Sequence, residues 1–229
     1  MATAESLEPV YVWDLVVRAT HWLIVLSMVV LAATGIYLGH PFVDASGPAR
    51  EHFVTGYAKV IHSYAAIVFA LSVASRIVWM FLGPRRTGWR QFVPTSRRRR
   101  RGLIESLKFY TFLQRDPPPV IGHNPLAGLT YVAVFGLYLV MIATGFALYS
   151  VSAHSYMHVW RFLLPIFHGA QGARWIHHVV MYLLLGFAMH HLFSALLVSR
   201  VEKNGTLDSI FSGYKFLPKD RIPDDDADK

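Results

Sequence analysis

The 229-residue chain has no cysteine. That excludes a disulfide scaffold, thiolate zinc sites, iron–sulfur ligation by this chain and covalent c-type haem. It carries no information about redox compartment. Charge is also scarce. Only 16% of residues are Asp, Glu, Lys or Arg, against roughly 25% in soluble domains. Acidic residues number 14 against 22 Lys and Arg, a formal charge of +8. Such basicity could point to nucleic acid, but most of the excess falls between Arg85 and Arg115, flanked by hydrophobic segments. What fills the chain is apolar: 54% of residues are Ala, Val, Ile, Leu, Met, Phe, Trp, Tyr or Cys. This composition is that of a polytopic membrane protein.

Four apolar runs are long enough to cross a bilayer core, which takes ~20 helical residues. They lie at about 19–39, 58–82, 126–151 and 175–199. The second is free of charge from Val60 to Ser75 and then broken by Arg76, and the fourth has no charge between Trp175 and Ser199. The expected fold is all-α, an integral membrane four-helix bundle occupying 1–217, with an acidic disordered tail at 218–229. The N-terminal run is read as a retained helix and not a signal peptide. Glu5, Glu8 and Asp14 stand where a basic region would be, and no small-residue cleavage site follows.

Lys and Arg in the connecting loops set the orientation. The loop 83–124 holds Arg85, Arg86, Arg90, Arg97 to Arg101, Lys108 and Arg115, whereas the other two hold little beyond Arg50, Arg161 and Arg174. The arginine-rich loop is therefore placed in the cytoplasm, and four spans put both termini there too. Pro117 to Pro119 should end an inner amphipathic stretch around Ile104–Leu113. The loop Ser152–Arg174, with Trp160, Phe162 and Phe167, is read as lying along the opposite membrane surface or simply forming an aromatic belt. No internal repeat is visible.

Twelve histidines are many for this length, and ionisable groups inside a membrane call for explanation. His40, His52, His154, His158 and His168 fall in outer loops, and His123 precedes the third span. That leaves His21, His62, His177, His178, His190 and His191. At ~100° per residue, His177 and His191 are 14 positions apart and share a helical face within ~40°. His178 and His190 do not combine with either in this way. The axial separation of His177 and His191 is ~21 Å. His62 matches His177 in depth, near the outer ends of their spans, and His21 matches His191 near the inner ends. Two stacked histidine pairs on facing helices are what bis-imidazole ligation of two b haems needs. A proton-relay transporter would also use buried histidines, but these spans contain no acidic partner.

Several stretches carry a family resemblance. They are Val17-Arg18-Ala19-Thr20-His21-Trp22, Thr34-Gly35-Ile36-Tyr37-Leu38-Gly39-His40-Pro41, and Gly56-Tyr57 through His62. Further along come Ile121-Gly122-His123-Asn124-Pro125-Leu126-Ala127, Ala143-Thr144-Gly145-Phe146-Ala147-Leu148-Tyr149-Ser150, and Ser212-Gly213-Tyr214-Lys215. Together they cover nearly the whole chain, which resembles the cytochrome b subunit of membrane-bound [NiFe] uptake hydrogenases. The resemblance implies two haem b groups whose iron ligands are His21, His62, His177 and His191. It also implies partnership with an iron–sulfur small subunit and a nickel–iron large subunit outside the cytoplasm, with quinone (ubiquinone or menaquinone) as acceptor. The chain has no nickel site of its own and would not split H2 alone.

Arg18, Arg76 and Arg200 are candidates for haem propionates, or else snorkel to headgroups. His123 and Asn124 are candidates for a quinone site, with Asn124 equally able to cap the helix that follows. Gly35, Gly136, Gly145 and Gly186 either make room for a porphyrin face or let helices pack closely. Two other readings stay open: the cytochrome subunit of a formate dehydrogenase or thiosulfate reductase, and a haem-free membrane anchor or transporter.

Overall fold

The computed structural model describes residues 7–42, 53–84, 87–111, 113–115, 125–152 and 155–218. Four long helices dominate it: α1 (Leu15–Gly39), α2 (Val54–Leu82), α4 (Pro125–Ser152) and α5 (Gly169–Glu202). Each is long and apolar enough to cross a membrane. At 1.5 Å per residue they exceed the ~30 Å hydrocarbon core. They also begin or end several residues beyond the charge-free runs. Lys59 and Arg174, which bound those runs in sequence, lie inside α2 and α5.

The surface of these helices fits lipid and not water. Leu26, Val29, Leu71 and Phe193 are all more than 60% exposed, and no more than 22% of any span's most apolar stretch is buried. In the bilayer all backbone groups must bond within the segment, which helices achieve. The chain is a multi-pass membrane protein.

Contacts divide the chain into two compact units. The first comprises Met1–Arg18, Ile77–Val134 and Met189–Lys229. Within it a two-stranded antiparallel ribbon joins the ends of the chain, pairing β1 (Leu7–Tyr11) with β2 (Tyr214–Pro218), from Leu7 opposite Pro218 to Tyr11 opposite Tyr214. Neither strand is evident from the sequence. The amides of Val12 and Trp13 both donate to the Gly213 carbonyl, at 2.8 and 3.2 Å. Gly213 follows the short helix α6 (Ser209–Ser212) with φ of 90°, and a Cβ there would stand 2.8 Å from the Trp13 carbonyl oxygen. Only glycine meets both demands.

Val10, Val12, Trp13, Val17 and Leu217 form a small core with Trp79 packed against it. Asp14 ties this core together. Its carboxylate accepts from the Val17 amide at 2.9 Å, capping α1, and from Trp79 Nε1 at 2.9 Å and Thr87 Oγ1 at 3.1 Å. Trp13 Nε1 donates to Ser209 Oγ at 3.1 Å.

The same unit holds α3 (Arg97–Tyr110). It starts earlier than the amphipathic stretch expected at Ile104–Leu113, because Ser96 caps it by accepting from the Arg99 amide at 3.2 Å. The arginine run is thus helical. Arg99 turns inward and donates to Gln91 Oε1 at 2.9 Å and to the Gln91 carbonyl. Arg97, Arg100, Arg101 and Lys108 share the exposed face with Ile104 and Leu107. Gly128 of α4 lies under this layer: a Cβ there would stand 2.8 and 2.9 Å from the carbonyl oxygens of Gln91 and Phe92. Pro117 to Pro119 and the acidic tail from 219 onward lie outside the described residues.

The second unit comprises Ala19–Arg76 and Phe135–Ala188. Its buried residues include Ser27, Phe69, Val73, Thr144, Ala147, Ser150, Ala173 and Leu184. Phe69 of α2 meets Tyr138 of α4 edge-on, with ring centroids 5.1 Å apart. Between α4 and α5 the aromatic segment forms short 3-10 turns, and its Trp160 stacks on Phe146 at 4.5 Å.

Candidate functional site

Two half-sites of the same construction lie within the second unit. In the first, α1 carries Thr34-Gly35 and α2 carries His62. Thr34 Oγ1 is 2.8 Å from His62 Nδ1, and a Cβ on Gly35 would stand 3.4 Å from His62 Cε1. In the second, α4 carries Thr144-Gly145 and α5 carries His177. Thr144 Oγ1 is 2.9 Å from His177 Nδ1, and a Cβ on Gly145 would stand 3.5 Å from His177 Cε1. One helix supplies a Thr-Gly step, and the next supplies the imidazole that lies against it. The sequence had shown no repeat. The structure has this one, a dipeptide followed by its histidine 28 positions on in one case and 33 in the other.

Proton accounting assigns a tautomer to both rings. Thr34 Oγ1 donates its single proton to its own helix, to the Val30 carbonyl at 2.7 Å. Thr144 Oγ1 does the same with the Val140 carbonyl at 2.8 Å. Such bonds to the carbonyl four residues back are the usual fate of Thr inside a helix. Each hydroxyl can then only accept from the histidine, so Nδ1 bears the proton and the lone pair of the neutral ring is on Nε2. Imidazoles held this way are ready-made metal ligands.

α5 also reaches Gly35. A Cβ there would also approach Met181 Sδ at 3.6 Å, and Met181 is buried on α5 one turn beyond His177. A cavity of about 200 Å³ opens alongside, lined by Gly35, Gly39, Met181 and His178 among others. His178 fills the space that Gly39 leaves, its Nε2 standing 3.2 Å from where a Cβ would be.

This donor set fits haem. Among the described residues no group of three His, Cys, Asp or Glu could hold a bare metal ion, whereas a porphyrin supplies four nitrogens and asks for only two axial ligands. Two neutral imidazoles with free Nε2 lone pairs meet that requirement. Gly35 and Gly145 keep the rings unobstructed. By contrast Gly136 and Gly186, weighed with them on sequence, have nothing within 4 Å of a Cβ.

The other sequence candidates are placed as follows. His21 is half-buried on α1, edge-on to Trp22 with centroids 5.3 Å apart. His191 is half-buried on α5 with Nδ1 3.4 Å from the Tyr131 hydroxyl. The two fall in different units. His190 is exposed and lies 3.4 Å from Ser194 Oγ. Arg18 donates to the Phe211 carbonyl, Arg76 is buried on α2, and Arg200 is exposed near the end of α5. His123 and Asn124, like His52 and His154, lie outside the described residues. Sequence reasoning did not assign roles to Thr34 and Thr144. The signal available was the repeated Thr-Gly step one helix before each histidine.

A family model described as prokaryotic cytochrome b561 matches residues 12–213. Among curated relatives, the probable Ni/Fe-hydrogenase 1 B-type cytochrome subunit of Escherichia coli is 34% identical over 212 residues, 90% of this chain and 90% of that protein. The probable Ni/Fe-hydrogenase B-type cytochrome subunit of Cupriavidus necator is 32% identical, covering 94% and 90%. Its counterpart in Bradyrhizobium diazoefficiens is also 32% identical, covering 90% and 85%. With nearly all of its four-helix architecture inside the match, the chain belongs to the prokaryotic cytochrome b561 family of b-type cytochromes.

Proposed function

We propose that this chain is the di-haem membrane subunit of a Ni/Fe hydrogenase. It anchors the hydrogenase large and small subunits and relays electrons from periplasmic H2 oxidation to ubiquinone or menaquinone. The observation that carries this reading is the pair of Thr-Gly-backed imidazoles, His62 and His177, each presenting Nε2 as a ligand atom. The names of the relatives point to the same partner enzyme.

His62 and His177 hold one haem b, on the outer side, and His21 and His191 the second, on the inner side. A haem b held by two imidazoles supplies one-electron chemistry by cycling between ferric and ferrous iron. The protein's own contribution is to orient the rings, keep water from them with apolar spans, and space the sites across the membrane. Choosing His191 over His190 is supported by burial, since His190 faces outward. Arg18, Arg76 and Arg200 remain the candidates for the inner propionates, and His123 with Asn124 for the quinone.

The chain sits in the bacterial inner membrane, with loop 83–124 and both termini cytoplasmic. Two features support this placement. The ribbon pairs the two ends of the chain, as an even number of spans requires. The exposed face of α3 combines four cations with Ile104 and Leu107, which suits the anionic cytoplasmic leaflet.

The test is a pyridine haemochrome assay on the purified chain, with a reduced-minus-oxidised spectrum and H2 as reductant in native membranes. Two b haems per chain, both reduced by H2, are expected, with His62→Ala and His177→Ala each losing the same one. A chain without haem in native membranes would leave only the anchor or transporter reading.

A further inference from the structure

We infer that Thr34 and Thr144 are positioning residues that set the redox potential of the His62/His177 haem. The inference rests on the ligand assignment above and goes beyond it to what tunes the group. Each hydroxyl accepts from the Nδ1–H of one ligand, at 2.8 and 2.9 Å. Each has already committed its own proton to a main-chain carbonyl one turn back. An acceptor at Nδ1 draws that proton outward, makes the imidazole a stronger electron donor at Nε2 and so favours ferric over ferrous iron.

Three details make the arrangement a built one. It occurs twice, on different helix pairs. Thr144 is fully buried, where a hydrogen bond is stronger than in water. The residue after each threonine is glycine, where a Cβ would stand 3.4 or 3.5 Å from the ring's Cε1. His191 Nδ1 lies 3.4 Å from the Tyr131 phenol instead, and the two threonines reach His62 and His177, so the effect is assigned to the haem of that pair.

The experiment is a potentiometric titration of the full chain carrying Thr34→Val, Thr144→Val or both, with Thr→Ser at each position as the conservative control. Valine keeps the shape and removes the acceptor. The midpoint of one haem should rise and that of the other should stay. Outer-shell changes of this kind weaken binding by ~10–100-fold. For each tenfold by which ferric affinity falls more than ferrous, the rise is about 59 mV. Serine should restore the wild-type midpoint. If valine instead empties that site while the other haem is retained, serine must refill it. The inference is overturned if neither valine variant moves a midpoint or occupancy, or if serine behaves like valine. A wild-type chain that lacks the His62/His177 haem altogether would overturn the ligand assignment instead, a result the same spectra distinguish.

Discussion

Lengthening Gly35 and Gly145 one carbon at a time measures how much room the His62 and His177 rings have. An alanine Cβ at Gly35 would stand 3.4 Å from His62 Cε1 and 3.6 Å from Met181 Sδ, and at Gly145 3.5 Å from His177 Cε1. Carbon contacts are optimal at about 3.5–4.0 Å, so alanine needs a shift of a tenth of an ångström or so from a ring edge and a flexible thioether. It also gains ~1 kcal/mol of helix propensity over glycine. Valine differs in kind. Its γ-carbons reach roughly 1.5 Å beyond Cβ, and a β-branched side chain has little rotamer freedom with which to turn them away. The ring must then retreat by about 1 Å, several times the ±0.2 Å that metal–ligand distances tolerate. Overpacking of this size costs about 1–3 kcal/mol, some ten- to a hundredfold in ligand-site occupancy. Haemochrome content per chain, read beside melting temperature in detergent, is the assay. The alanine variants should keep two haems and melt no lower than wild type. The valine variants should keep one haem in a chain that still folds. Valine at either position with both haems intact would refute the reasoning that these glycines abut iron ligands. Haem loss already at alanine would refute the premise that the ring edge alone sets the limit.

Other outcomes follow from features away from the ligands. Asp14→Ala removes the α1 cap, worth ~1 kcal/mol, and strips the acceptor from Trp79 Nε1, worth about 1–3 kcal/mol more. Thermal denaturation in detergent should show a loss of at least ~2 kcal/mol, with Asp14→Asn recovering part of it. Because the chain has no cysteine, Thr95→Cys, exposed just before α3, is a clean reporter of orientation. A membrane-impermeant maleimide should label it in inverted vesicles and not in intact cells, and the reverse pattern would turn the whole topology over. Gly128→Val should displace the Gln91–Phe92 backbone beneath which it lies, and faster proteolysis of the loop between α2 and α4 is the readout.

The four long helices were legible because lipid imposes a one-dimensional rule: a run without charge, long enough to cross, is a helix. That rule marks the hydrocarbon slab and not the helix ends, which is why Lys59 and Arg174 turned out to lie inside helices. The ribbon was illegible for the opposite reason. Leu-Glu-Pro-Val-Tyr and Tyr-Lys-Phe-Leu-Pro have no strong strand pattern, and each becomes a strand only because the other is brought to it from some 200 residues away. Helical arithmetic could put His177 and His191 on one face of their helix. It could not single out the threonines, because a Thr in an apolar helix looks the same whether its second lone pair is idle or, as at Thr34 and Thr144, aimed at an imidazole.

The pairing of β1 with β2 also orders events in time. β1 is made some 200 residues before its partner β2. At about 5–20 residues per second, roughly 10–40 s of synthesis separates them. Through that interval Leu7–Tyr11 has an open edge, and Trp13 waits for Ser209. Closure of the ribbon can therefore come only after α1, α2, α4 and α5 have been made. A newborn chain that stalls or is cut before Tyr214 would hold four helices and an unfinished clasp, a difference that a quality-control protease could read at the membrane surface.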